Sequence, residues 1–484
     1  YWRNLRLFQG DVSFQLPEVY QNFLLACARN ILQARERVGG TLTFQVGPTT
    51  YRGLWVVDGH FILEAARYLG YDADVQQGLE TTWGMQGADG GIFAGGGKEH
   101  WKDTGIAMFS MVRQAELSQD WSYFQKMQPK VLEGVKFLAA IREHAKAEGS
   151  ANGRYGLLAR GFGDAGIGGG VRDEFTNTTW AMAGLRAVAE AAERRGAAGY
   201  EPAQMLYRSL RDSFFACARQ QMRVHPGGFE YLPMVLREDP QWSDGDERKR
   251  WRPQSGQWAL AQAIFPGLLF EPSDPIVKGY IALMHACTQE DVPIETGWLP
   301  HEGLWNYDAG FAAHALLWAG ARDAALSMFT GFLNHATPLY CWREEQPLHG
   351  ALIGSYVGDM PHNWASAECV LFLRHMLALE DGASLRLLAG LDGQGLAAGQ
   401  PHQMDGSPSR FGRITIRLEP MDGMRGWLLK FRRGRGPRPG SVQLPEMLGR
   451  WRFEETRGAQ ARPEGGVVSV DPETTNWEAI WRKA

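Results

Sequence analysis

Residues 339–375 read LYCWREEQPLHGALIGSYVGDMPHNWASAECVLFLRH. Two adjacent carboxylates, Glu344 and Glu345, are followed by a Gly-rich loop and then by Pro361-His362-Asn363, which opens an apolar segment. From Trp364 to His375 the apolar residues recur at spacings of three and four, which predicts a helix with one buried face. Because loops that end on rigid elements often carry catalytic groups, we expect this stretch to hold part of a functional site.

The same alternation of long polar loops and amphipathic helices recurs between Glu18 and about Leu379. Twelve helices are predicted, and short joins such as residues 320–323 indicate antiparallel neighbours. Asp274 followed by Pro275 marks one helix start, since a capping side chain there precedes a Pro at the first helical position. Short joins alternate with long loops rich in Gly, Trp and acids. This pattern predicts an (α/α)6 toroid, a closed ring of six helical hairpins whose long loops face one funnel.

A pair of helical bundles or an open solenoid is the alternative arrangement, although no tight repeat of the solenoid kind is present. Residues 1–17 are predicted to form a lead-in strand or linker, and residues 18–380 the helical toroid. After that point the apolar period changes to two, for example in residues 412–418 and 427–431. Residues 381–484 are therefore predicted to form a small antiparallel, sandwich-like β domain.

The composition fits a globular protein that acts on small or neutral ligands. Of 484 residues, 44% are hydrophobic and 21% charged, and the formal net charge of -4 does not favour nucleic acid or an anionic membrane surface. No run of about 18 apolar residues predicts a membrane-spanning helix. The chain has 18 Trp and 59 Gly, which suits aromatic loop walls that stack on sugar rings, although a large core also uses Trp. The expected partner is a carbohydrate, and the oligomeric state is left open.

The cysteines and histidines do not indicate a disulfide framework or a metal site. Four cysteines lie within apolar helical patterns and are expected in the core: Cys27, Cys217, Cys287 and Cys369. Cys341 can be interpreted as a nucleophile or a metal ligand, but no second Cys or His at ligand spacing accompanies it. Three candidate ligands, His60, His100 and His362, are scattered, so no metal and no other cofactor is predicted. No signal peptide is predicted within these residues, and a start at Tyr is compatible with a processed secreted or periplasmic protein as well as with a cytoplasmic one.

The layout of the first 380 residues and the motif Trp55-Val56-Val57-Asp58-Gly59 resemble the six-hairpin glycosidases, which include glucoamylases, bacterial α-glucosidases and α-L-rhamnosidases. In that superfamily the loop before the first inner helix binds sugar through a Trp and an acid, which implies roles for Trp55 and Asp58. The resemblance implies an inverting, exo-acting hydrolase of an α-linked glycoside, either an α-glucoside or an α-L-rhamnoside.

The resemblance also implies which carboxyls react. A middle loop carries the general acid just before a helix, which implies Glu174 or its neighbour Asp173. A late loop carries the general base before a Gln, which implies Glu345, with Glu344 as the adjacent competitor. The remaining substrate-binding residues are expected from the same loops: Trp55, Asp58, His60, Trp101, Lys102, Asp103, Trp305, Asp308, Trp342, Asn363 and Trp364.

The chemistry of the reaction requires two carboxyls irrespective of family. One carboxyl protonates the leaving oxygen, and the other, still ionised, activates water against an oxocarbenium-like transition state. A separation of roughly 6.5–9.5 Å corresponds to inversion and one of about 5 Å to retention. Loops of a ring can bring Glu174 and Glu345 to one mouth although they are distant in sequence.

Each of these interpretations has an alternative. Asp173 and Glu174 also fit a helix cap, and the pair at 344–345 also fits a salt bridge to Arg343 or a solvated loop. Three acids of another long loop compete for the role of acid: Glu295, Glu302 and Asp308. A polysaccharide lyase or another uronate-acting enzyme would instead use residues such as Tyr307, His301, Asn306 and Arg343. A glycan-binding protein without catalysis is the third possibility.

Overall fold

The computed structural model describes residues 5–93, 97, 99–167, 169–239, 252–299, 301–349, 356–391 and 393–483. Residues 350–355 of the Gly-rich loop therefore lie outside the described residues. The helices are α1 (Glu18–Gln33), α2 (Val56–Tyr68), α3 (Asp72–Gly84), α4 (Lys102–Ser118), α5 (Ser122–Lys126), α6 (Gln128–Glu148), α7 (Ala151–Arg154), α8 (Thr176–Arg195), α9 (Glu201–Gln221), α10 (Trp258–Ile264), α11 (Pro275–Cys287), α12 (Asp308–Trp318), α13 (Arg322–Asn334), α14 (Asn363–Leu377) and α15 (Gly393–Ala397).

Six of these helices contact one another in a cycle. Helix α2 packs on α4, α4 on α8, α8 on α10, α10 on α12, α12 on α14, and α14 on α2. Every residue of α2, α10, α12 and α14 is buried, as expected for helices with neighbours on all sides. The approach of α4 to α8 is so close that a Cβ at Gly184 would lie 2.1 Å from the carbonyl oxygen of Gly105.

A second set of helices packs on this cycle from outside. Helix α1 packs on α14, α9 on α8, and α13 on α12. Each of the three buries one face only, in α9 for example through Leu210, Phe214 and Cys217. The predicted start of α11 is confirmed, because the Asp274 side chain accepts the backbone N–H of Ile276 at 2.8 Å. None of the described helices is both long and apolar enough to cross a membrane.

The strands fall into short hairpins between the helices and two larger sheets. They are β1 (Ser13–Gln15), β2 (Arg35–Val38), β3 (Thr41–Phe44), β4 (Gly161–Phe162), β5 (Val171–Arg172), β6 (Arg223–Val224), β7 (Glu230–Tyr231), β8 (Thr288–Gln289), β9 (Val292–Pro293), β10 (Gly303–Trp305), β11 (Glu345–Pro347), β12 (Ala378–Asp381), β13 (Ser384–Leu387), β14 (His402–Ser407), β15 (Ile414–Pro420), β16 (Gly426–Arg433), β17 (Ser441–Pro445), β18 (Met447–Leu448), β19 (Trp451–Arg457), β20 (Ala461–Glu464), β21 (Val467–Val470) and β22 (Asn476–Lys483).

A seven-stranded sheet has the order β1-β14-β15-β16-β22-β19-β18, and a five-stranded sheet the order β12-β13-β17-β21-β20. The first sheet is curled and antiparallel, and its first strand comes from the N-terminal segment, with Phe14 opposite Met404. The second sheet departs from the antiparallel expectation, because β13 and β17 pair in parallel with Leu385 opposite Val442. A parallel pair needs a long crossover, and here the chain passes through β14–β16 before it returns. The predicted order of a helical region followed by a β region is confirmed.

Candidate active site

The predicted site residues come from segments that lead into the N-terminal ends of α2, α4, α8, α12 and α14. One further segment is β11, which pairs with β10 so that Glu345 lies opposite Trp305. Backbone bonds also tie the segments together, since the N–H of Asn363 donates to the carbonyl of Val46 and the N–H of Asn306 to that of Glu344. The late loop, the entry to α2 and the entry to α12 are thus held beside one another.

Glu344 is a buried carboxyl with spare hydrogen-bonding capacity. Its Oε1 accepts the indole N–H of Trp298 at 3.3 Å, whereas Oε2 has no hydrogen bond of normal geometry within the described part of the chain. Burial raises the pKa of Glu344 to about 7, and the nearby Tyr51 hydroxyl and Trp298 indole offset part of that rise. Gly358 lies against it, since a Cβ there would sit 2.1 Å from Oε2. Oε2 of Glu344 is thus a buried acceptor that no described residue satisfies.

Glu345 is held differently. Its Oε2 accepts the backbone N–H of Trp298 at 2.7 Å and its Oε1 that of Leu299 at 2.9 Å. Burial raises its pKa to about 8, although these two N–H groups lower it. The bonds fix the loop at residues 297–299 against β11, so Glu345 helps to place Trp298 over Glu344.

Asp58 lies in the first turn of α2 among other acids. Burial raises its pKa well above the ordinary value, and the negative charges of Glu344, Asp164 and Asp103 raise it further. We call these four residues the carboxyl cluster. Burial and the like charges around it thus both favour the neutral form of Asp58.

Tyr51 is positioned beside this cluster by a local backbone motif. The carboxylate of Asp359 accepts the N–H groups of Thr49 at 3.2 Å, Thr50 at 2.9 Å and Tyr51 at 2.8 Å. Burial and the charge of Glu344 raise the pKa of the Tyr51 hydroxyl, which therefore remains a hydrogen-bond donor. The Tyr51 ring also contacts Trp55 edge-on, with 5.3 Å between ring centroids.

Lys102 supplies a buried positive charge. Its Nζ lies 2.9 Å from Oδ2 of Asp164 and 3.0 Å from Nδ1 of His100. Burial would lower the pKa of Lys102, but the charges of Asp164 and Asp103 outweigh it and raise the pKa. Burial and the Lys102 charge lower the pKa of His100 to about 4, so its neutral ring accepts a hydrogen bond from the Lys102 ammonium group. Lys102 thus partly neutralises the carboxyl cluster.

Asp173 and Glu174 form hydrogen bonds within their own loop. The Glu174 carboxylate accepts the backbone N–H groups of Thr176 and Asn177 and the Asn177 side-chain amide, the latter at 2.7 Å. Burial nevertheless raises the pKa of Glu174, and Lys102 is close enough to lower it in part. Asp173 accepts the N–H of Asn152 at 2.8 Å. The role of Glu174 as a general acid stays a prediction, and its capping of α8 is observed.

Aromatic rings surround the entries to α12 and α14. Tyr307 stacks on His362 with 4.7 Å between centroids and contacts Trp305 and Trp364 at 5.1 Å each. The Trp364 indole N–H donates to Oε1 of Glu368 at 3.1 Å, while that of Trp305 is buried without a partner among the described residues. These rings form an apolar floor next to the carboxyl cluster.

Other predicted residues lie around this centre or outside it. The Trp101 indole donates to the carbonyl of Arg160 at 3.0 Å, and Asn363 donates to that of Gln45 at 2.9 Å. His60 is buried between aromatic rings, and burial lowers its pKa to about 4. Trp342 stacks on Phe332 at 4.2 Å and donates to its carbonyl, so its indole belongs to the core. Burial raises the pKa of Asp308 to about 7, with Thr296 offsetting part of the rise.

The residues of the alternative interpretations are also placed. Arg343 lies 4.2 Å over the ring of Tyr356 and donates to the carbonyl of Gly358 at 3.1 Å. Asn306 donates to the carbonyl of Arg343 at 2.9 Å. Glu295 lies 3.5 Å from Arg252. Arg343 therefore orders the late loop, and Glu295 has a cation of its own.

Sequence reasoning missed Asp164, Tyr51 and Trp298 as site residues. Asp164 stands between glycines in the long loop before α8, and an isolated acid in such a loop is a weak signal. Tyr51 lies four residues before Trp55, within the loop that resembles a sugar-binding motif. No group of three or more His, Cys, Asp or Glu side chains in the described ranges is arranged to hold a metal ion.

Comparisons with known proteins give a fold likeness without sequence likeness. No protein-family model matches the chain, and no curated protein matches it. An α-L-rhamnosidase of Streptomyces avermitilis, complexed with L-rhamnose, superposes with a TM-score of 0.60 at 13% identity, over 98% of this chain and 42% of its own. A GH78-family rhamnosidase of Bacillus sp. GL1 superposes with a TM-score of 0.60 at 15% identity, over 91% of this chain and 43% of its own.

A shorter enzyme matches over nearly its whole length. A wild-type glycosidase superposes with a TM-score of 0.55 at 14% identity, over 74% of this chain and 98% of its own. A variant of a glycosidase in complex with glucose superposes with a TM-score of 0.54. The chain thus has the fold of these glycosidases, and it spans about two fifths of the length of the two rhamnosidases.

Proposed function

We propose that the protein is a glycoside hydrolase whose helices form an (α/α)6 toroid. The cycle of contacts from α2 through α4, α8, α10, α12 and α14 back to α2 supports the toroid. The carboxyl cluster and the aromatic floor stand at the N-terminal ends of these helices, where the long loops meet. Aromatic faces beside buried carboxyls suit a sugar ring, because the ring has apolar faces and hydroxyl edges.

One observation carries the proposal: Glu344, a buried carboxyl with one oxygen that lacks a partner among the described residues, lies close enough to Asp58 for its charge to raise the pKa of Asp58. A hydrolase needs an ionised carboxylate and a protonated carboxyl at the same pH. Glu344 is the base that activates water, and the nearby hydroxyl of Tyr51 lowers its pKa. Glu345, predicted as the base by resemblance, is the neighbour that fixes the loop.

The proton donor is one of two carboxyls whose pKa burial raises, Asp58 and Glu174. The first is buried among acids, and burial and the neighbouring negative charges both favour its protonated form. The second receives three hydrogen bonds and lies near Lys102, which favour its ionised form. Hydrolysis proceeds with inversion on an exo-accessible α-glycoside, and the solved neighbours with glucose and L-rhamnose indicate the two sugars to test first.

Turnover on α-glucosides and α-L-rhamnosides tests the proposal. We expect Glu344→Gln to lower kcat by about 10³-fold or more on every substrate, because water loses its base. Loss of the proton donor depends on the leaving group: 2,4-dinitrophenyl glycosides need little protonation and should stay active, whereas alkyl glycosides should not. Asp58→Asn and Glu174→Gln compared on both leaving groups identify the donor, and Glu345→Gln is the matched control for Glu344→Gln.

Product analysis separates the remaining classes. Proton NMR of the first-formed anomer shows inversion or retention directly. A lyase would give an unsaturated product that absorbs in the ultraviolet, and a glycan-binding protein would bind sugar without release of product. Full activity of Glu344→Gln on all substrates would contradict the assignment of the base.

A further inference from the structure

A second cavity lies inside the cycle of helices, toward the C-terminal ends of the helices and thus away from the carboxyl cluster. Its volume is about 500 Å³. It is lined by side chains of all six helices of the cycle and also by the turn at residues 381–383, by Phe411 and by Arg438. We call it the distal cavity. Phe61 and Phe311 line it from the side of Trp364, with which both rings are in contact at 5.3 Å and 5.0 Å.

Aromatic rings form much of the wall of the distal cavity. Phe265 and Trp318 line its interior, and Trp121, Phe270 and Phe411 line the outer part. The Trp318 indole is fixed by a bond to Asp381 at 2.7 Å. Flat rings held in this way offer surfaces on which the apolar faces of a sugar can stack.

The polar groups of the cavity are arranged in neutral sets. Arg113 donates to Glu64 at 2.9 Å and to Glu380 at 2.8 Å, and Arg374 donates to Glu380 at 2.7 Å. Glu116 at the edge is paired with Arg194 at 2.8 Å. Since the guanidinium and carboxylate groups of Arg113, Arg374, Glu64 and Glu380 compensate one another, this set favours a neutral ligand.

A free hydrogen-bond donor lies among these groups. Gln262 lines the distal cavity, is 1% exposed, and accepts the indole N–H of Trp180 through Oε1 at 2.9 Å. Its Nε2 has no partner among the residues that the structure describes. Because a buried amide without a partner costs free energy, a ligand oxygen at this position would be favoured.

We propose that the distal cavity is a second binding site, independent of hydrolysis, for a neutral mono- or disaccharide. The volume falls within the range of roughly 300–1,000 Å³ typical of small-ligand sites. The aromatic wall matches the faces of the sugar, the amide of Gln262 donates to a hydroxyl or ring oxygen, and Glu64 and Glu368 have lone pairs for its hydroxyl protons.

Glucose, L-rhamnose and maltose serve as probes, with binding measured by titration calorimetry and by saturation-transfer NMR. The measurements use the full chain carrying Glu344→Gln, so that no substrate is consumed. Ala187 lines the cavity on α8, and Ala187→Trp fills it. Ala383 lines the cavity from an exposed turn, so Ala383→Trp obstructs it at a position where a large side chain does not disturb the core. Agreement between the two variants shows that the effect does not come from misfolding of the first. Ala140→Trp on the exposed face of α6 is the matched control.

We expect at least one probe to bind at a site that both cavity variants weaken by about tenfold or more and that Ala140→Trp leaves unchanged. Gln262→Glu retains the acceptor for Trp180 but removes the free donor, so it should weaken the binding of the same probe in the distal cavity. Binding that Trp55→Ala removes is assigned to the candidate active site beside the carboxyl cluster. Binding in the distal cavity can therefore be recognised even if the hydrolase proposal fails. The inference is overturned if none of the three sugars shows a binding component that the cavity variants weaken.

Discussion

Glu380 allows a quantitative test of the buried ion network beneath the distal cavity. Its carboxylate accepts one bond from Arg113 and one from Arg374. Burial raises the pKa of Glu380, but the two guanidinium charges outweigh burial and hold it at about 2, against an ordinary value of 4.5. This difference corresponds to about 3 kcal/mol of unfolding free energy at neutral pH.

The sign of the pH dependence follows from the lowered pKa. Above pH 4.5 the carboxylate is ionised in both folded and unfolded chains, and the contribution is complete. As the pH falls toward 2, the unfolded chain takes up the proton first, so the contribution is lost. By linkage about 1.5 kcal/mol remains at pH 3.

The perturbation is Glu380→Gln, and the assay is urea unfolding of the intact and variant chains at pH 7 and pH 3. We expect the variant to be less stable by about 3–5 kcal/mol at pH 7, because Arg374 loses its carboxylate partner and Arg113 keeps only Glu64 as a hydrogen-bonded carboxylate among the described residues. The gap should shrink by about 2 kcal/mol at pH 3, since Glu380 is then almost fully protonated in the unfolded chain but still mostly ionised in the folded one.

The control is Glu473→Gln, because Glu473 is paired with Arg438 on the surface, where its side chain is 68% exposed. That variant should lose at most about 1 kcal/mol at either pH. A gap for Glu380→Gln that is the same at both pH values would refute the reasoning, because it would mean that the lost bonds matter but the lowered pKa does not.

Three further predictions concern the candidate active site. Activity should rise with pH as Glu344 ionises near pH 7, and Tyr51→Phe should move this limb of kcat/KM to higher pH, because the hydroxyl lowers the pKa of the base. Asp359→Ala removes the acceptor of three loop N–H groups and should lower the unfolding free energy by roughly 1–3 kcal/mol, measured in urea, with a raised KM. Lys102→Met removes a positive charge that lowers the pKa of Glu174 and should therefore raise that pKa, observable by carbon-13 NMR titration.

The helical part of the fold was predictable because its signals are local. The cap of Asp274 and the apolar period between Trp364 and His375 each need only a few neighbouring residues, and both elements begin where the sequence indicates. The parallel pairing of β13 with β17 was not predictable, because strand adjacency depends on which distant segment arrives beside an edge.

The loops that form the candidate site could be predicted from the sequence. The side chains that interact within it were harder to predict. Glu344 and Glu345 are adjacent at the start of a strand of three residues, so they point to different sides, but so short a strand leaves no periodic signal. The partner of Lys102 is Asp164, which lies on a different loop, and only the tertiary structure brings the two together. Trp342 has the composition of a sugar-stacking residue, yet packing against Phe332 takes its ring into the core.

The pairing of β1 with β14 has a consequence for the lifetime of the partly made chain. The Ser13 hydroxyl bonds to Asp405 across 392 positions of sequence, so the strand that completes the edge of the seven-stranded sheet is synthesised first and waits longest. Closing so large a loop is entropically costly. Without β1, the backbone N–H and carbonyl groups along one side of β14 would be open to strands of other molecules. The short strand β1 thus covers an edge of β14 that would otherwise favour aggregation, and we expect a chain without β1 to be less soluble.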